Sequence, residues 1–205
     1  MQDYNYKMQC YNRALTTLSS PDRLYPMNIT VKLDTKEVAR LMKDAPNIAR
    51  KTASRTLNRT ADKARVAASR TVREKYNIKA GDLNRSVKTT KSSVSRLETI
   101  LTITGKPVAL MAFAARQTLK GVTYKILKSG GRIRLPHAFI ATMRSGHTGV
   151  FERKGDKRLP ISERKFITMP SVWNSKAVMS VVERAVNTEI VKEWKANWDY
   201  YRGKG

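Results

Sequence analysis

The only side chains in this sequence whose types suggest catalysis are its two imidazoles, His137 and His147, with Glu152 close behind them. Such a trio is the raw material of a metal-dependent nuclease. A zinc or magnesium site, however, needs three or four ligands converging on one point. Here carboxylates are few and stand among Arg and Lys, which repel a cation, so the preferred reading is that each histidine hydrogen-bonds locally in a loop. Cys10, the one cysteine, cannot form an intrachain disulfide and has no histidine near it. No Walker loop, nucleophile elbow or His-Glu-x-x-His is present. The reading is therefore of a non-enzyme, with no cofactor, no metal and no small-molecule substrate expected.

The chemistry the chain does offer is charge. Of 205 residues, 41 are Lys or Arg and 16 are Asp or Glu, a formal net charge of +25. Residues 46–96 hold fourteen basic and three acidic side chains, and residues 105–170 the same numbers again, so the charge belongs to the middle of the chain and not to a tail. Such a surface attracts a polyanion or an acidic protein. Lys and Arg on phosphates release counterions and give affinity without sequence information. The candidate contacts, to DNA or to acidic partners, are Arg50, Arg55, Arg59, Lys63, Arg70 and Arg73 on one helix and Arg132 and Arg134 on a hairpin. Electrostatics alone does not choose between those two partners. Few aromatics interleave with the basic residues, which argues against stacking on single-stranded bases.

These side chains must be positioned by regular elements. Asn28 to Asp34 alternates apolar and polar residues and predicts a strand. Asp34 or Thr35 can cap a helix carrying Val38, Leu41 and Met42, and Pro46 restarts the pattern. From Pro46 to Tyr76, the residues Ala49, Ala53, Leu57, Ala61, Ala64, Ala68, Val72 and Tyr76 form one face at helical spacing, with the basic residues mainly outside it. Thirty residues span about 45 Å. Asp82 predicts a short helix through Leu83 and Val87. Residues 96–104 and Val108–Phe113 read as strands, and Val122–Leu127 with Arg132–Leu135 as a hairpin around Ser129-Gly130-Gly131. A final helix from Asn174 to Tyr201 buries Val178, Val182, Ala185, Val186, Ile190, Trp194 and Tyr201, with Glu189 and Glu193 off that face. The fold class is α+β, a mainly antiparallel sheet against one or two long helices. The division expected is an arm over 1–26, an α+β domain over 27–173 and a C-terminal helix over 174–205. The sequence contains no apolar run long enough to cross a membrane. The N-terminus does not read as a signal peptide.

Four stretches taken together carry a resemblance: Tyr76-Asn77-Ile78-Lys79-Ala80-Gly81-Asp82; Ala112–Thr118 followed by Lys120-Gly121-Val122; Ala138–Met143 leading into Ser145-Gly146-His147 and Val150–Gly155; and Arg158-Leu159-Pro160-Ile161. In their order and spacing they resemble the minor tail protein Z family of long-tailed bacteriophages and prophages, over about Val38 to Ser171. One departure stands out. The family usually follows Leu-Pro-Ile with an acidic-aromatic segment ending in Gly-Pro-Ser, whereas here Ser162–Met169 intervene before Pro170-Ser171.

The resemblance implies a structural virion protein, made in the host cytoplasm, that completes the head-proximal end of the tail for head–tail joining and DNA passage. It also implies a homo-oligomeric ring, commonly sixfold, with other tail and neck proteins and the leading end of the phage DNA as partners, and without membrane. A heterologous contact closes into such a ring when its rotation divides a full turn. The Gly-, Thr- and Arg-rich third stretch suits a loop packed on the next subunit. The candidate interface residues are accordingly Arg116, Thr142, Arg144, His147, Phe151 and Arg153, with Trp198 and Tyr200 because both fall off the C-terminal helix's main stripe. The rival readings are a free basic nucleic-acid-binding protein and, behind it, the metal-dependent nuclease.

Overall fold

The computed structural model describes residues 27–33, 36–105 and 107–203. The expected N-terminal arm, Cys10 and the cap at Asp34 or Thr35 lie outside the described residues. The architecture is α+β: three small antiparallel sheets and two long helices that share one buried core.

Helix α1 (Lys36–Asp44) and helix α2 (Pro46–Lys75) are separated by one non-helical residue, Ala45. Pro46 has no N–H to donate, and its fixed φ suits a first helical turn, so the chain breaks and restarts there. All eight residues of the predicted α2 face are buried, from Ala49 to Tyr76. A second buried row, Thr52, Thr56 and Thr60, runs beside it. Small side chains on both rows let α2 be approached from two sides. The last turn carries Arg73 and Lys75, which suit the negative end of the helix.

Strand β1 (Met27–Lys32), strand β2 (Val87–Thr90) and strand β3 (Glu98–Ile103) make the first sheet, in the order β1-β3-β2. Thr99, Leu101 and Ile103 face inward, as their alternation predicts, and Ile29 and Val31 lie opposite Leu101 and Thr99. Val87 opens β2 instead of closing the helix expected around Asp82; that helix, α3 (Ala80–Ser86), stops one residue earlier. Asn58 ties α2 to this sheet. Its amide donates to the Ser92 carbonyl (3.0 Å), and its Oδ1 accepts from the Ser92 N–H (2.8 Å) and the Thr99 hydroxyl (2.9 Å).

The expected strand at Val108–Phe113 is instead a single bridge at Ala109 followed by a 3-10 turn, Leu110–Phe113. Leu110 and Phe113 are both buried, and their three-residue separation is the period of that turn. The predicted hairpin is present. Strand β4 (Arg116–Thr118), strand β5 (Gly121–Tyr124) and strand β6 (Ile133–Leu135) pair in the order β4-β5-β6. Gly121 sits at φ +117, and a Cβ there would lie 2.3 Å from the Leu135 carbonyl oxygen, so only glycine lets β5 and β6 approach this closely.

The stretch read as a Gly/Thr/Arg loop is largely strand. Strand β7 (Ala138–Thr142), strand β8 (Thr148–Arg153) and strand β9 (Ile161–Glu163) form a third sheet. Helix α4 (Met169–Trp173) was not legible in the sequence; Met169, standing where the resembled family has glycine, packs its Cβ on Gly105. Helix α5 (Lys176–Arg202) runs antiparallel along α2, and its Val178, Val182, Val186 and Ile190 join the same buried core as α2 and the sheets. Burying each such aliphatic side chain contributes roughly 1.5–3 kcal/mol.

Candidate functional site

The basic residues picked from the sequence fall into two groups. On α2, Lys63 Nζ lies 2.6 Å from Glu189 and 2.8 Å from Glu193 of α5, and Arg59 Nη1 lies 3.2 Å from Glu193. Asn197 Nδ2 donates to the Thr56 hydroxyl at 3.2 Å, one turn further along. Arg55 stacks over Tyr200, 4.9 Å from the ring centroid. Three of the six α2 candidates thus hold α5 in place. Glu193, expected away from the buried face, has a side chain only 9% exposed. Burial alone would push its carboxyl up, but the hydrogen bond from Lys63 and the charges of Lys63 and Arg59 outweigh this and hold it below the ordinary carboxylate range. The hydrogen bond from Lys63 lowers Glu189 as well, and the two carboxylates in turn raise Lys63.

The remaining α2 candidates face water. Arg50 donates to the Val94 carbonyl at 3.4 Å, Arg70 reaches Glu74 only at 3.9 Å, and Arg73 has no acidic partner among the described residues.

The second group is on the sheet β4-β5-β6. In its register Arg116 lies opposite Thr123, and Thr123 opposite Arg134. Strand alternation puts these three on one face, while Val122 and Tyr124 point into the core. Arg132 belongs to the same face: its Nε donates to the Thr123 hydroxyl at 3.2 Å, and its Nη2 to the carbonyls of Ala114 (2.6 Å) and Thr123 (2.9 Å). Arg132 therefore latches the sheet to the left-handed turn at Ala114 (φ 50), while Arg116 and Arg134 stand exposed with no ion pair among the described residues. Strands lie about 4.8 Å apart, so the two arginines flank Thr123 across about 10 Å. Neighbouring like charges of this kind are unfavourable without a counter-charge. The sequence carries a signal for this face: from Thr99 to Phe151 there is no Asp or Glu, against eight Lys or Arg.

The other candidates are placed as follows. Thr142 and Thr148 share a hydrogen bond (2.9 Å) across the β7–β8 hairpin, whose turn exposes Arg144. His147 Nε2 lies 2.8 Å from Glu163. Phe151 is buried between Phe139 and His147, so it presents little surface to a neighbour, and Arg153 lies over Phe139. Trp198 stacks on Trp194, half-buried. The nuclease trio does not converge. Glu152 pairs with Arg164, His147 with Glu163, and His137 is exposed at φ 60. Among the described residues no three His, Cys, Asp or Glu side chains are placed to hold a metal ion. No described helix is long and apolar enough to cross a membrane.

The family model described as prophage minor tail protein Z matches residues 29–201. The chain belongs to that family. The match covers α2, the three sheets except the first two residues of β1, and almost all of α5, so both basic groups lie within it. No curated protein and no solved structure matches the chain. The family assigns this tail protein a structural role in the phage tail.

Proposed function

We propose that this minor tail protein is a non-enzymatic subunit at the head-proximal end of the tail. Copies assemble head-to-tail as a ring, with six the favoured number, that completes the tail and joins it to the head around the entering DNA. The observation that carries this reading is the acid-free arginine face of β4-β5-β6. Arg116 and Arg134 are exposed, have no ion pair among the described residues and stand on a sheet that Arg132 ties to the turn at Ala114. A row of fixed cations matches a phosphodiester backbone, which supplies the missing counter-charge without requiring sequence readout. A heterologous contact repeated around an axis puts that face in the same place in every copy, and in this proposal that place is the lumen.

The test pairs a cryo-electron reconstruction of the neck and upper tail with the double variant Arg116→Glu/Arg134→Glu. Both residues are exposed and have no ion pair among the described residues, so the variant keeps its stability within about 0.5 kcal/mol of the parent. The expected result is a ring of this chain below the head, with the arginine face toward the lumen, and particles of the variant that lose DNA or fail to join heads. Density at the distal end of the tail, or full titre from the variant, overturns the proposal.

A further inference from the structure

Alongside the α2–α5 contact runs an open groove of about 960 Å³. Its two walls are helical stripes with the same spacing: 66, 70 and 73 on α2, and 181, 185 and 188 on α5. Two packed antiparallel helices with such stripes side by side form the seat that a third helix fills in a bundle. The floor is apolar, with Val66, Ala67, Val181 and Ala185, and Val66 is 63% exposed. One end is basic. Arg73 and Arg184 have no acidic partner among the described residues, and Arg70 meets only the exposed Glu74. The other end carries Asp62 and the Lys63–Glu189 ion pair. From 62 to 73 the groove runs about 16 Å, three helical turns.

We propose that this groove seats an amphipathic helix of another tail protein. That helix has an apolar stripe of about three turns over Val66 and Val181, and carboxylates over Arg70, Arg73 and Arg184. DNA suits the groove poorly, because its phosphates gain nothing from an apolar floor of valine and alanine. A second copy of this chain suits it less well, because the occupant must bring several carboxylates beside an apolar stripe, and this chain has only 16 Asp and Glu against 41 Lys and Arg. The inference rests on the chain working among other tail proteins and is independent of the DNA reading above.

The test places a photo-cross-linking phenylalanine derivative at Val66 in the full chain within assembled particles, with the same group at exposed Lys157 as control. The expected product at position 66 is a cross-link to a different tail protein, in a segment with apolar residues at three- and four-residue spacing and at least two carboxylates. Combining it with Arg73→Glu/Arg184→Glu is expected to cut the yield by about fivefold or more, from lost charge complementarity, while the chain still enters particles. A cross-link to DNA or to another copy, no cross-link from particles that contain the chain, or a yield indifferent to the arginines overturns the proposal. An immunoblot showing no chain in particles overturns it together with the head-proximal reading, whereas a failed cross-link from particles that contain the chain overturns the groove proposal alone.

Discussion

Replacing Glu193 by Gln tests whether α5 is held on α2 by charge as well as by its valines. The Glu193 carboxylate accepts from Lys63 Nζ at 2.8 Å, Arg59 Nη1 at 3.2 Å and Asn197 Nδ2 at 3.4 Å, and is nearly buried. Breaking a fully buried pair costs about 3–5 kcal/mol, because the partner is left charged in a dry interior. Here the partners are about half exposed, 53% for Arg59 and 47% for Lys63, and Lys63 keeps Glu189 at 2.6 Å. Water therefore screens the loss, and the expected destabilisation at neutral pH is about 1–2 kcal/mol. For a chain of this size that lowers the melting temperature by roughly 2–8 °C. The pH dependence gives a sharper readout. Glu193 and Glu189 are both held below their ordinary value of 4.5 in the folded chain. Between the folded and unfolded values the unfolded chain binds more protons, so stability rises with pH there. The carboxylates' contribution is complete above 4.5 and fades as pH falls through the folded value. Urea unfolding of parent and Glu193→Gln at pH 7 and at about pH 3 should therefore show a gap that narrows in acid. A gap under about 0.5 kcal/mol at pH 7, or one unchanged in acid, refutes the argument.

Two further substitutions probe the scaffold beneath the basic face and the α2–sheet junction. Gly121→Ala puts a Cβ against the Leu135 carbonyl at a φ that alanine avoids, and is expected to cost about 3 kcal/mol or more by urea unfolding, with loss of hydrogen-exchange protection in β5 and β6; an effect below about 1 kcal/mol contradicts the close approach. Asn58→Ala leaves the Ser92 N–H and the Thr99 hydroxyl without their Asn58 acceptor in a largely buried place, and should cost about 2–3 kcal/mol, whereas a near-neutral result means water replaces the amide.

Local physics made much of this molecule readable. Eight apolar positions at helical spacing over thirty residues leave α2 only one way to bury them, and α2 buries that face. Alternation in β1 and β3 likewise decides which side meets the core. The third sheet escaped because β8 buries Gly149, Val150 and Phe151 in succession: a strand covered on both faces shows no alternation. The charge was legible as a total, and the four stretches with their spacing pointed to the tail protein family. Which charges remain available was not legible. Glu193 and Asn197 continue the Val186–Ile190 stripe of α5, yet a search for apolar periodicity steps past them to Trp194 and Tyr201. Only when α5 lies antiparallel on α2 do Arg59 and Lys63, more than 120 residues away, meet those carboxylates. Only the pairing of β4, β5 and β6 sets Arg116 beside Arg134 with nothing negative between them. Composition counts charges one residue at a time, but a charge is neutralised or left free by what the chain brings next to it, and that is decided by tertiary contact.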